Sequence, residues 1–158
     1  LFAAAAGKQI AVRRVLVPAS VRAIAANAFD GGAELEEIVV HPKNMAYRSE
    51  GGAIYQGNVL LRVPRGRQGS VSVAEGTVEI APGALRGCRM EEIVLPATVR
   101  SIGESAFKDC EKLRAIAIPA ACKVERWAFE RCRALVHISI GEGAVIDNYA
   151  FWGLQSRN

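Results

Sequence analysis

Aromatic residues are scarce in this chain: Phe, Trp and Tyr make up 6% of its 158 residues, although 51% of the residues are apolar. A core assembled from Val, Ile, Leu and Ala favours narrow, repeated layers over one large globular centre. Long apolar runs are also missing, and none approaches the roughly 20 residues of a membrane-spanning helix, so no membrane insertion is expected within this segment. The opening Leu1-Phe2-Ala3-Ala4-Ala5-Ala6 has neither the basic start nor the full apolar run of a targeting peptide. The first residue is Leu rather than Met, so an upstream segment is expected to have been removed, and the chain is silent about an export signal.

Patterns that carry chemistry are equally scarce. There is no G-x-S-x-G, H-E-x-x-H, P-loop or EF-hand spacing, and no N-x-S/T acceptor. The four cysteines form no C-x-x-C pair and the only histidines are His41 and His137, which argues against a zinc site. Neither catalytic nor cofactor-binding nor metal-binding residues are expected. The formal net charge is +4, with Arg13-Arg14, Arg62, Arg65 and Arg67 as the densest basic groups, but 16 acidic residues are interspersed. A nucleic-acid surface would show a longer basic stripe with exposed aromatics, so no nucleic-acid partner is expected. Length alone allows one domain with a continuous core.

What is present is an internal repeat. An Ala-Phe pair recurs at Ala28-Phe29, Ala106-Phe107, Ala128-Phe129 and Ala150-Phe151, with Ala84-Leu85 as a fifth copy. Positions 85, 107, 129 and 151 are spaced by 22, whereas 56 residues separate Phe29 from Leu85 and imply an insertion. Five residues before each stands a β-branched residue: Ile24, Ile80, Ile102, Val124 and Ile146. An L-x-x-I-x-(I/V) run follows at Leu35-Ile38-Val40, Leu113-Ile116-Ile118 and Leu135-Ile138-Ile140, and at Met90-Ile93-Leu95 after one deletion. Pro18, Pro96 and Pro119 close these runs.

Two periods coexist in each unit. The x-x-I-x-I segment alternates, so Ile38, Ile93, Ile116 and Ile138 are expected to point inward, buried and stacked from repeat to repeat, with their neighbours pointing out. The Ala-Phe segment is too short for a full helix and reads as one tight turn. No unit buries its apolar side alone, so stacked units yield parallel strands on one face and turns on the other. Within the insertion, β-rich runs flank Gly57-Asn58 and predict a hairpin near 47–64, followed by a polar loop over 65–70 before Val71-Ser72-Val73 resumes the repeat. Tyr47 and Tyr55 in this insertion read either as partner contacts or, preferably, as a lid over the core.

The pattern L-x-x-I-x-I-P followed by V-x-x-I-x-x-x-A-F-x-x-C resembles the BspA-like (Treponema-type) leucine-rich repeat family, and the stretch from Ile102 to Leu113 is an especially close match. The segment from Tyr47 to Tyr55 is similar to the Y-x-S-x-D-G-x-L-Y insert of many members, with Gly51 where Asp is usual. The resemblance runs from about residue 11 to 153. It implies a repeat solenoid with parallel β-strands on the concave face, short turns or 3-10 segments on the convex face, and one β-hairpin insertion. On that reading residues 1–158 form a single domain of about five repeats and a piece of a longer array. The resemblance further implies a bacterial surface or secreted location, a role in adhesion, and no catalytic residues to carry over.

Cys88, Cys110 and Cys132 recur at spacing 22, predicting a column of buried, reduced thiols whose parallel side chains do not meet as disulfides. Cys122 falls off this spacing and is expected to be the accessible thiol. Cys132 and His137 should diverge, one into the core and one onto the strand face. That outer face is the candidate partner-binding surface: Arg14, Leu16, Glu37, Val39, Glu92, Val94 and His137, with small Ala115 and Ala117 beside them. Leu16, Val39 and Val94 would place an apolar streak where water-facing strands favour polar residues, and the mixed charges fit a protein, or a glycan, better than a polyanion. Gly153 to Asn158 supplies no polar cap, which would leave an end open to further repeats or self-association. The competing reading is a structural spacer within a longer solenoid.

Overall fold

The computed structural model describes residues 11–154. Thirteen short strands and their connecting turns build it, with no helix among the described residues. The strands are β1 (Arg14–Val17), β2 (Glu37–Val40), β3 (Arg48–Glu50), β4 (Ala53–Gln56), β5 (Val59–Arg62), β6 (Gln68–Ser72), β7 (Glu79–Ile80), β8 (Arg89–Val94), β9 (Ser101–Ile102), β10 (Ala115–Ile118), β11 (Lys123–Val124), β12 (His137–Ile140) and β13 (Val145–Ile146). The chain winds as a parallel-strand solenoid in which each turn from β6 onward contributes one strand to each of two ladders.

The first ladder holds the alternating x-x-I-x-I segments: β1 pairs with β2, and β6, β8, β10 and β12 follow one another in a four-stranded sheet. Ile116 lies opposite Ile138 and Val71 opposite Ile93. The second ladder was not legible as strand from the V-x-x-I spacing. Its two-residue strands β7, β9, β11 and β13 align Ile80, Ile102 and Val124 with Ile146.

Between the ladders the Ala-Phe turns stack through the backbone. The amides of Leu85, Phe107 and Phe129 donate to the carbonyls of Ala106, Ala128 and Ala150 of the next turn, at 2.8, 2.7 and 2.8 Å. Such an approach leaves space only for a methyl group, and Ala84, Ala106, Ala128 and Ala150 are buried. The residue two before the aromatic position is left-handed each time, at Gly83 (φ 66°), Ser105 (56°), Trp127 (58°) and Tyr149 (61°). A left-handed residue cannot continue a right-handed helix, so the segment stays a turn. Phe107, Phe129 and Phe151 then stack with centroids 4.9 and 5.3 Å apart.

Of the four isoleucines expected to be buried, Ile38, Ile93 and Ile116 are 0%, 7% and 3% exposed, but Ile138 is 36% exposed. Ile138 lies on β12, the outermost strand of its sheet, and has a strand neighbour on one side only. Nor does Ile38 stack on Ile93, because β2 and β6 are not paired.

The insertion is the reason. It is a three-stranded antiparallel meander rather than a single hairpin: β3 turns into β4 through Gly51-Gly52, and β4 into β5 through Gly57-Asn58. Strand β5 pairs in parallel with β7, Leu60 opposite Ile80, so the meander extends the second ladder. The polar loop is shorter than expected, since β6 begins at Gln68. Alternate residues of the meander face two different cores. Ala53, Tyr55, Leu60 and Val63 join the large cluster that runs to Ala150. Ile54, with half-buried Leu61, joins a smaller one around Phe29, Leu35 and Ile38. Burial on both faces makes the insertion a wall between two cores. Tyr47 and Tyr55 are neither lid nor partner contacts: both are buried, and their hydroxyls accept the amides of Ile24 and Ala74 at 3.0 Å each.

Candidate functional site

The outward positions of the first ladder form two plates rather than one surface. On the β1–β2 plate, Arg14 lies opposite Glu37 and Leu16 opposite Val39. The Arg14 Nε–Glu37 Oε2 distance is 3.0 Å; both side chains are well exposed, so the pair orients the plate more than it stabilises it. Leu16 is 66% exposed and Val39 half-buried. On the second plate Glu92, Ala115 and His137 fall in one row across β8, β10 and β12, and Val94 is 58% exposed. Ser70, Ser72, Ala117 and Ser139 complete this exposed plate of small residues. The structure thus brings Arg14, Leu16, Glu37 and Val39 together, and separately Glu92, Val94 and His137. Between the plates stand β3 and its turn, carrying the Arg48–Glu50 ion pair at 2.9 Å; the Arg48 guanidinium lies 4.5 Å from the Tyr55 ring centroid.

The basic cluster singled out in the sequence is committed internally. Arg62 is 6% exposed and donates to Gly83 O at 2.9 Å, Ala26 O at 3.1 Å and Asp30 Oδ1 at 2.6 Å. Arg65 donates to Asp30 O at 2.9 Å, and Arg67 to Gly51 O at 2.6 Å. These side chains fasten the insertion to its flanking turns, which is a structural use of charge with no need of a polyanion.

Cys88, Cys110 and Cys132 form the expected column of buried free thiols. They also do more than fill space. Each Sγ lies near a carbonyl of the preceding turn, at 3.4 Å from Val63 O, 3.0 Å from Leu85 O and 3.1 Å from Phe107 O. Burial pushes the Cys88 thiol up to about 12 and holds Cys110, which also faces the Cys132 thiol, well above the ordinary range. Cys122 corrects the expectation made for it. It is buried, because it fills the inward position that Val99 occupies one turn earlier: both amides bond the carbonyl of a proline three residues before, Pro119 and Pro96. Registering the turns on Pro rather than on Phe would have found this. Burial raises the Cys122 thiol as well. Native protein at pH 8 is therefore expected to show no fast-reacting thiol toward a maleimide, and four after denaturation, since only the thiolate reacts; rapid modification of Cys122 alone would contradict its place in the core. His137 lies exposed on β12 while the Cys132 thiol points to Phe107 O, so the two diverge as expected.

Sequence reasoning missed an aromatic group on the turn side. Tyr149 and Trp152 are 58% and 59% exposed and meet edge to face at 5.3 Å. One turn earlier Arg126 lies 5.5 Å from the Trp127 ring centroid. The available signal was positional, since Trp127 and Tyr149 stand where Gly83 and Ser105 stand in other turns. Among the described residues no group of three or more His, Cys, Asp or Glu is placed to hold a metal ion, and no helix is long and apolar enough to cross a membrane.

Comparison with known proteins agrees with this geometry. Residues 70–157 match the family model described as BspA type Leucine rich repeat region (6 copies). The crystal structure of the pneumococcal vaccine antigen PcpA superposes with a TM-score of 0.64 at 18% identity, over 86% of this chain and 43% of that one. A leucine rich cell surface protein from Faecalibacterium prausnitzii A2-165 superposes with a TM-score of 0.58 at 19% identity, over 82% of this chain and 48% of that one. The chain therefore spans less than half the length of either structure, and at these identities the likeness is one of fold. No curated protein matches the sequence.

Proposed function

We propose, from the premise that this chain belongs to the BspA type leucine-rich repeat family, that it is a non-catalytic binding module of a surface or secreted protein. It recognises a protein, or a glycan, through the strand side of the solenoid. The observation that carries this reading is the exposure of Leu16 and Val94, at 66% and 58%, on a rigid ladder. Apolar groups held in fixed register lose little ordering entropy on binding, and Leu16 with the adjacent Val39 gives one plate an outward apolar pair. Arg14, Glu37 and Glu92 set charges of both signs beside them and His137 adds a polar ring, which suits a polypeptide surface. A location at the cell surface is supported by the name of the F. prausnitzii structure, a leucine rich cell surface protein.

A second reading, a spacer within a longer array or a self-associating segment, is favoured by one feature. The outer side of β12 exposes Ile138 and Ile140 at 36% and 52%, a surface onto which another turn would stack. The two readings separate in one experiment. Wild type and Val39→Asp plus Val94→Asp are used to recover partners from the natural environment. Lost recovery with unchanged thermal stability is the expected result; equal recovery from both removes the strand face from consideration.

A further inference from the structure

The insertion changes how the first turn meets the second. In later turns the backbone closes the column directly, since the amides of Val63, Leu85, Phe107 and Phe129 each bond the carbonyl before the next member of the column. The Phe29 amide makes no such bond to Arg62, and Ile54 of β4 lies opposite Arg62 instead. Contact across the turns falls to the Arg62 side chain, which donates to Ala26 O and Asp30 Oδ1. Beside that bridge lies a cavity of about 240 Å³. Its floor includes buried Phe29, Ile54 and Arg62, its sides include half-buried Ile24 and Leu61, and exposed Gln56 marks its mouth.

Two features narrow what this cavity can take. Most of its wall is apolar, and its volume exceeds the roughly 150 Å³ of an apolar cavity that admits benzene, so one substituted ring fits. Arg62 is 6% exposed, and its Nε has no hydrogen-bond partner among the described residues. A buried donor without an acceptor is costly, and native structures rarely keep one. The charge of Arg62 is by contrast answered: Asp30 Oδ1 stands 2.6 Å from Nη2, and a second carboxylate would be repelled by the first. The group that complements Arg62 is therefore a neutral acceptor.

We propose that this cavity binds a small neutral aromatic molecule carrying one hydrogen-bond acceptor, with the acceptor set against the Arg62 guanidinium. Sites for small ligands have this make-up, apolar walls with a few placed polar groups. The site is distinct from the strand plates, because neither Leu16 nor Val39 nor Val94 lines it. A Phe or Leu side chain of a partner protein is a poorer occupant, since its tip brings no acceptor to the floor.

The test uses the whole chain, labelled at its isoleucine methyls and titrated with acetophenone by NMR. The expected result is saturable shifts at Ile24 and Ile54, cross-relaxation between the ligand ring and the Ile54 methyls, and no shift at Ile116. The planar isostere α-methylstyrene, which lacks the carbonyl, should bind about tenfold more weakly, the worth of one hydrogen bond. Benzoate should also bind more weakly, because Asp30 already answers the charge. Leu61→Trp, which fills part of the cavity, should lose acetophenone binding; if that variant does not fold, the two control ligands decide the matter. Val39→Asp plus Val94→Asp should bind acetophenone unchanged, so that loss of the strand-face reading leaves this one standing. Absence of saturable shifts, equal binding of α-methylstyrene, tighter binding of benzoate, or shifts confined to Ile138 and Ile140 on β12 would overturn the proposal.

Discussion

Replacing Phe129 with Ala is expected to destabilise the fold by about 3–5 kcal/mol. Phe129 is fully buried and lies between Phe107 and Phe151, at 4.9 and 5.3 Å between ring centroids, so its removal opens a cavity between two turns that backbone bonds hold in place. The amide of Phe129 bonds Ala150 O at 2.8 Å and that of Phe107 bonds Ala128 O at 2.7 Å, and neither turn can collapse toward the other without losing them. Phe151, which has one stacking partner and is half-buried, should cost markedly less on the same change. Urea denaturation of both variants measures the difference; equal losses would mean that the rings do not act as a stack.

The second large effect is expected at Arg62. It stands 22 residues before Ala84, in the alanine column, yet its guanidinium crosses to the turn around Asp30. Truncation to Ala removes a buried guanidinium together with its hydrogen bonds to Gly83 O, Ala26 O and Asp30 Oδ1, for a cost of about 1.5–3 kcal/mol. The Asp30 partner is half exposed, with 51% side-chain exposure, so Asp30→Ala should cost about 1 kcal/mol or less. Thermal unfolding of the two variants distinguishes a buried tether from a surface ion pair. A similar small loss in both would reduce Arg62 to the latter.

Much of this architecture is readable from spacing, and the errors have physical causes. The column at 85, 107, 129 and 151 is marked by aromatic or Leu side chains, but Val63 is its earlier member, 22 residues before Leu85. Its amide bonds Ala84 O at 2.9 Å as its successors bond theirs. A Val beside Pro64 does not resemble an Ala-Phe pair, so the interval from Phe29 to Leu85 read as one long interruption. It is in fact one ordinary turn and one turn lengthened by the meander. Inward positions of the first ladder were legible because Ile alternates there. The second ladder was not, since two-residue strands such as Lys123–Val124 carry no period. Arginines at 62, 65 and 67 looked like surface charge because spacing does not reveal that their acceptors lie about 35 residues earlier or in the meander's own turn.

The candidate face was legible in its parts and not in its arrangement. Alternation placed Leu16, Val39 and Val94 outward, but it carries no information on which strands are neighbours. A pattern that puts Ile54 and Tyr55 in different cores reads in sequence as an ordinary apolar run. The wall that results decides how the two plates stand toward each other, and therefore what a partner meets.

The most direct test of this account is urea unfolding followed at single amides, Ile38 for the small core and Ile116 for the large one, in wild type and in Arg62→Ala. The small cluster buries few side chains and relies on the wall for its stability. Coincident loss of both signals in wild type, and earlier loss of Ile38 than of Ile116 in the variant, is the predicted result. If the two amides already separate in wild type, or still coincide once Arg62 is gone, the insertion is not the element that joins the two cores.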